Sequence, residues 1–388
     1  MKPPNLIMIK TSTLVLLFFS LIEIAGAQMP TVGGFAAAPD SWLLSKGPTW
    51  FYRTSASLEP ASLTFRNPTE KEQPIIDQAI HLFQRSSAKS MALINGNEVV
   101  WVGYKGGSDE KSTFMSYSVA KTVTSMAVGK AICAQKFSLG SVTQDLVPEL
   151  KGTDLGKATV RQLLMMSSGT WEGNSDSTVT TKNQNADINA GRISLLDVLK
   201  TPLVNSAHIG PLSVSRKPGE YFAYRSTDPF TIGVIINKTT GMSYARWLEN
   251  NVLLPAGIEG TAIIGQDRFN FGRASGDIAL TMNDWVRLAV WVKRNEMSSG
   301  CFGDYVRQAS RTQIENKSKK TGQSFDGYGY FIWTDNLRLR DSYWAIGHGG
   351  QRIGWNHKNQ KIIIAFSNVE NYMIDLYNLY RDWATLGD

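Results

Sequence analysis

Strand signals sit at the two ends of this chain and helical periodicity fills the middle, and that arrangement restricts the fold more than any other feature. Residues 91–104 read as two strands around an Asn95-Gly96 turn, the dipeptide most typical of a tight hairpin. After a long interval, strand signals return at 328–333, 343–347, 351–356 and 361–367, with Asn359 and its neighbours marking a hairpin turn. Helical spacing marks 70–84 before the first strands and 374–383 after the last. Between them, 118–134, 160–166, 195–200, 228–240, 244–252 and 282–293 read as helices, with a long polar insertion at 174–192. Strands joined by short links imply antiparallel pairing. The expected fold is therefore α+β: an antiparallel sheet flanked by N- and C-terminal helices as an α/β sandwich, interrupted by an inserted, mainly helical domain.

The domain boundaries follow from the same pattern. The sheet part covers about 69–117 and 295–385, and the helical part about 118–294, within one unit at 69–385. Residues 28–68 are rich in Pro, Gly, Ser and Ala and read as an extended lead-in. Residues 1–27 read as an export signal: Lys2 and Lys10 are basic, 14–22 is apolar, and Ala25-Gly26-Ala27 offers a small-x-small cleavage site. The apolar run falls short of the roughly 20 residues of a membrane span. An exported protein, periplasmic or secreted, without a stable span after cleavage is the expectation.

Charge and cysteine content narrow the classes further. The net charge is +7, and losing Lys2, Lys10 and Glu23 with the leader lowers it by one. Lys317, Lys319 and Lys320 form the tightest basic group, which reads as a solvated loop; the mild excess suggests affinity for anionic cell-envelope polymers at most, and no nucleic acid is expected. Cys133 and Cys301 are the only cysteines; they can pair in an oxidising compartment, or Cys133 can be filler on a buried helix. The histidines, His81, His208, His348 and His357, lack zinc spacing, and no phosphate loop or G-x-S-x-G elbow occurs. No cofactor or metal is expected.

One constellation carries chemistry. Ser118-Val119-Ala120-Lys121 places a hydroxyl and an amine three residues apart at the head of a helix, hence on one face. A serine hydroxyl needs a neighbouring base, and desolvation lets a buried lysine act as one. Val123, Met126, Ala127, Val128, Ala131 and Ile132 give that helix the dense apolar spacing of a core element, which suits an exposed Lys121 poorly. At the helix start the Ser118 amide also points outward, ready for an oxyanion. A plain helix cap followed by a solvated lysine is the competing reading.

Three further segments stand in a recognisable order after this one: 160–164 leading to Ser168-Gly169, then Gly219-Glu220-Tyr221-Phe222-Ala223-Tyr224, then Gly347-His348-Gly349-Gly350-Gln351. Together they make the chain resemble the serine β-lactamase and penicillin-binding-protein-like superfamily, nearest its class C, esterase and 6-aminohexanoate-dimer hydrolase branch, over roughly 75–385. The resemblance implies a serine hydrolase forming an acyl-enzyme on Ser118, with Lys121 as base and Tyr224 as proton relay; Tyr221 competes for the last role. It implies an oxyanion hole from the Ser118 and Gln351 amides, and a substrate-binding edge of His348, Gly349 and Gly350. Where such enzymes usually carry Lys-Thr-Gly, this chain has His348-Gly349-Gly350, so a permanent cation is missing. Trp171, Trp333, Trp344 and Trp355 fall in segments that border the cleft in that family, although Trp333 and Trp355 read more naturally as core. The implied partner is a small ester or amide substrate. Within this class an ester or small amide ranks first, a D-amino-acid peptide second and a β-lactam third. An inactive homologue that binds peptidoglycan or a partner, and a Ser-His-Asp hydrolase using His348 or His208, remain as alternatives.

Overall fold

The computed structural model describes residues 27–28, 50–170, 187–200, 217–317, 319 and 321–387. Except for Ala27, the expected export signal lies outside the described residues, as does most of the 174–192 insertion. The strands are β1 (Ala27–Gln28), β2 (Trp50–Arg53), β3 (Thr64–Phe65), β4 (Ala88–Asn95), β5 (Glu98–Tyr104), β6 (Thr113–Met115), β7 (Ile263–Gln266), β8 (Ile278–Thr281), β9 (Ile314–Glu315), β10 (Phe325–Tyr328), β11 (Trp333–Asn336), β12 (Leu339–Gly347), β13 (Gln351–Asn356) and β14 (Lys361–Ser367). Nine of them form one sheet in the order β3-β5-β4-β14-β13-β12-β11-β10-β9. Its pairs are antiparallel apart from β3, which runs parallel to β5.

The principal helices are α1 (Gln73–Arg85), α2 (Val119–Cys133), α3 (Val160–Leu164), α4 (Leu195–Lys200), α5 (Thr227–Thr240), α6 (Tyr244–Leu248), α7 (Met282–Met297), α8 (Cys301–Ala309) and α9 (Met373–Thr385). The terminal helices α1 and α9 pack on each other and on β4, β5 and β14, while α2 and α7 reach β12, β13 and β14. Every residue of β13 and β14 is buried, as expected of strands covered on both faces. The antiparallel sandwich and its flanking helices thus stand as the pattern predicts. Helix α2 is buried nearly all round and sits in the core between the sheet and α5.

Two expectations need correction. The sequence predicts a strand over 328–333, but only its ends are strand: β10 stops at Tyr328 and β11 starts at Trp333. Between them Phe331 takes a left-handed φ of 56°, and the amides of Tyr330 and Phe331 bond to the carbonyls of Ala309 and Leu164. The aromatic run is buried because it plugs into α8 and α3, not because it is pleated. The nominally helical block also contains strands: β7 and β8 join β1, β2 and β6 in a second sheet ordered β1-β2-β7-β8-β6. Four residues each, they are too short for a period to declare itself.

Cys133 and Cys301 form a disulfide with Cα atoms 5.8 Å apart, so the reading of Cys133 as filler is set aside. The bridge ties the last residue of α2 to the first residue of α8.

Candidate active site

The second sheet positions the head of α2. Strand β6 pairs with β8, Met115 opposite Ala279, and the ladder continues through Ser116, whose amide donates to the Ile278 carbonyl at 2.7 Å and whose Oγ accepts from the Ile278 amide at 3.0 Å. The chain then turns sharply: Tyr117 has φ 43°, a left-handed conformation that is strained for a bulky side chain. Sequence reading found no glycine-flanked elbow here, yet a strained residue stands directly before Ser118.

Ser118 is the N-cap residue of α2, but its hydroxyl makes no capping hydrogen bond to the helix. It receives one from Lys121 Nζ at 2.7 Å instead. Lys121 is 2% exposed and also donates to the Ser275 carbonyl at 2.9 Å. The solvated-lysine reading therefore fails. The amides of Val119, Ala120 and Lys121 turn back to the carbonyls of Ser116, Tyr117 and Ser118, whereas the Ser118 amide makes no backbone hydrogen bond among the described residues.

Tyr224 completes the cluster. Its ring lies 4.9 Å from Lys121 Nζ, and Ser118 stands close enough to bear on the charge of its hydroxyl. Burial drives the phenol well above its ordinary pKa, while nearby Ser118 and the Arg352 charge act the other way. At neutral pH the hydroxyl is therefore intact, able both to donate and to accept a proton. Trp333 stacks on Tyr224 at 5.3 Å. The residues around Tyr224 are pinned to the end of α3: the Gly219 and Ala223 amides bond to the carbonyls of Ser167 and Met166, and Arg225 donates to Ser168 Oγ, which itself donates to buried Asp228. Two of the segments singled out in the sequence thus meet in space.

The β12–β13 hairpin supplies the opposite edge. Gly347 pairs with Gln351, and a Cβ at Gly347 would lie 2.3 Å from the Ser116 carbonyl, so only glycine lets this strand end approach the Ser116–Ser118 turn. His348 is exposed, with its ring 5.8 Å from that of Tyr117. Gly349 and Gly350 follow with φ of 75° and 98°. Gln351 does more than offer an amide: its side chain donates to the carbonyls of His348 and Ser367 and accepts from the Ser367 amide, fastening the turn to β14. Buried Arg352 donates to the Gly347 and Gln351 carbonyls.

Of the remaining expectations, Trp171 and His208 lie outside the described residues. Trp344 and Trp355 do not border a cleft; both are buried, with Nε1 bonded to Ser342 Oγ and to the Ala289 carbonyl. Among the described residues no group of three or more His, Cys, Asp or Glu could hold a metal ion, and no helix is long and apolar enough to cross a membrane. Sequence reading missed Tyr117, Ser275 and Arg352: one is defined by a backbone angle, one by a carbonyl and one by burial within a strand, and none of these leaves a periodic trace.

Fold and cluster together define a serine hydrolase, and the chain belongs to the beta-lactamase family, whose family model matches residues 78–386. It is 24% identical over 360 residues to a 6-aminohexanoate-dimer hydrolase of Paenarthrobacter ureafaciens, covering 88% of this chain and 91% of that one. Among solved structures it is similar to a putative 6-aminohexanoate-dimer hydrolase from Bacillus anthracis, with a TM-score of 0.67 at 19% identity over 88% of this chain and 92% of the other. It is also similar to an octameric penicillin-binding protein homologue from Pyrococcus abyssi, with a TM-score of 0.59 at 18% identity over 79% and 76%.

Proposed function

We propose that this protein is an exported serine hydrolase that cleaves a small amide or ester through a covalent acyl-enzyme on Ser118. The observation that carries the reading is the 2.7 Å bond from buried Lys121 to a serine at a helix N-cap that makes no capping bond of its own. Ser118 Oγ bonds to the scissile carbonyl carbon while its proton passes to Lys121. The carbonyl electron pair moves to oxygen, where the Ser118 and Gln351 amides hold the charge. Collapse breaks the carbon–nitrogen or carbon–oxygen bond, and the departing atom takes a proton relayed through Tyr224. Water enters by the same route: it gives its proton back to the Tyr224–Lys121 pair, its oxygen bonds to the acyl carbon, and Ser118 leaves reprotonated.

Similarity to the 6-aminohexanoate-dimer hydrolases supports a linear amide as substrate. Peptidase action on D-amino-acid substrates is the second reading, with exposed His348 at the third motif as the polar group nearest to such a substrate's path. A β-lactam ranks third, since no fixed cation stands at that position. The disulfide supports export, together with the apolar leader. The deciding experiment treats mature protein with a fluorescent phosphonate, then profiles it on p-nitrophenyl esters, aminohexanoate oligomers, D-amino-acid amides and nitrocefin. Covalent label on Ser118 with turnover of at least one panel member supports the reading; absence of label makes the protein a binder and overturns it.

A further inference from the structure

Besides Ser118 Oγ, Lys121 donates to the Ser275 carbonyl, in a loop whose construction is unusual. Residues 273–278 run between the Ser116–Ser118 turn and α2, bonded to both. Thr124 Oγ1 on α2 donates to the Ala274 carbonyl at 2.7 Å, and the Ile278 amide donates to Ser116 Oγ at 3.0 Å. The loop closes on itself and on β7: the Gly276 amide bonds to the Arg273 carbonyl, the Arg273 amide to the Gly265 carbonyl, and the Gly265 amide to the Asp277 carbonyl.

Two charged residues are buried at its ends. Arg273 Nε stands 3.9 Å from Asp277 Oδ2, and both side chains are almost wholly covered. Arg273 Nη2 donates to Asn189 Oδ1 at 2.9 Å, but Nε has no hydrogen-bond partner, so the pair is a charge contact and not a hydrogen-bonded bridge. Asp277 adopts φ 65°, where glycine would be unstrained. A buried carboxylate kept in a left-handed conformation within electrostatic reach of the base calls for a function, since such strain persists where the surroundings require it.

We propose that Asp277, paired with Arg273, is a positioning residue for Lys121: the pair holds the Ser275 carbonyl against the amine and sets the potential in which Lys121 exchanges its proton. The charged groups that bear on Asp277 are Arg273 from its own loop and Lys121 from α2. From the end of β7, Asp267 acts on Arg273, while its own carboxylate is occupied by the Leu195, Phe269 and Phe271 amides. Burial raises the Asp277 carboxyl to about 6 against the pull of Arg273 and Lys121. Above that pH the anion favours the ammonium form of the base. Removing it lets the base lose its proton at lower pH, which moves the acid limb of the rate profile toward acid.

The inference rests on the hydrolase reading and is tested beside it. Asp277→Asn keeps shape and tolerates the left-handed backbone; Asp277→Gly removes both charge and strain. The pH dependence of phosphonate labelling and of kcat/KM for p-nitrophenyl butyrate is measured in the parent and both variants, with melting curves to establish folding. The expected result is an acid limb displaced by on the order of one pH unit toward acid in both variants, the size of a charge contact in partly shielded surroundings. A parent that does not label on Ser118 overturns the hydrolase reading itself. A parent that labels, with variants that fold and keep the parent's acid limb, overturns only the role of Asp277. If neither variant folds, the pair is a structural strut and the proposal falls as well.

Discussion

The two ends of the β12–β13 ladder carry one histidine each, and the protein treats them in opposite ways. At the far end His357 Nδ1 meets Glu296 Oε1 at 2.6 Å, and Glu296 Oε2 accepts from Lys293 at 2.6 Å and from Tyr343 at 2.8 Å. Lys293 donates in addition to the Asn356 carbonyl, so α7 and both strands are joined by one buried network. At the near end His348 is exposed, stands edge-on to Tyr117 and forms no ion pair among the described residues. The same two strands therefore end once in a closed set of polar contacts and once in groups left open to a substrate. A satisfied network rigidifies the scaffold; availability is confined to the end where chemistry is proposed.

That contrast can be broken from either end. The largest effect is expected from Ser118→Ala, which removes one hydroxyl and no core volume: turnover should fall by about 10³-fold or more at an unchanged melting temperature. Residual turnover within about tenfold of the parent would mean that the near end is not the reacting one. Lys121→Arg should be nearly as inactive, because guanidinium cannot give up its proton, and Lys121→Ala combined with Ser118→Ala should be no worse than either alone. A working arginine variant would reduce Lys121 to a fixed charge.

The far end should fail differently. Glu296→Gln breaks a buried pair and should cost about 3 kcal/mol of stability, with kcat unchanged at temperatures where the variant is folded. Burial works against the Glu296 charge, yet the His357 and Lys293 contacts keep its carboxyl below the ordinary value of 4.5. A depressed carboxyl contributes stability above that value and loses it as pH falls through the depressed one. The stability gap between parent and variant, read by denaturant melts, should accordingly close as pH drops below 4.5. A gap that persists there would show that packing, not charge, holds this end.

The smallest effect sharpens the comparison. His348→Lys places a permanent cation at the open end and should improve acylation by nitrocefin relative to p-nitrophenyl butyrate by about 1 kcal/mol, as a charge-assisted contact to the β-lactam carboxylate would. An unchanged kcat/KM ratio would mean that this position does not set specificity.

The sandwich was legible because α1 and α9 are amphipathic over 13 residues each, the apolar runs of β4 and β14 are long enough to read as covered strands, and Asn95-Gly96 marks the turn between β4 and β5. Strands β7 and β8 were not, being four residues long, and neither was the buried aromatic turn at 329–332, whose apolarity imitates a strand. At the site, Ser118 and Lys121 follow from side-chain spacing and Tyr224 from the resemblance, and the structure brings the three side chains together. The supports of Lys121 could not be named, since a carbonyl from Ser275 and a charge contact between Arg273 and Asp277 arise only once β7 and β8 bring a distant loop beside α2. The cysteine pairing was open for the same reason, as 168 residues separate the partners.

The borders of the large sheet are β3 and β9, each two residues long. A strand of that length leaves few free amides and carbonyls in line, so a second molecule arriving at either border finds almost no ladder to extend. Such short margins act as selvedges: they let nine strands lie side by side without inviting a tenth.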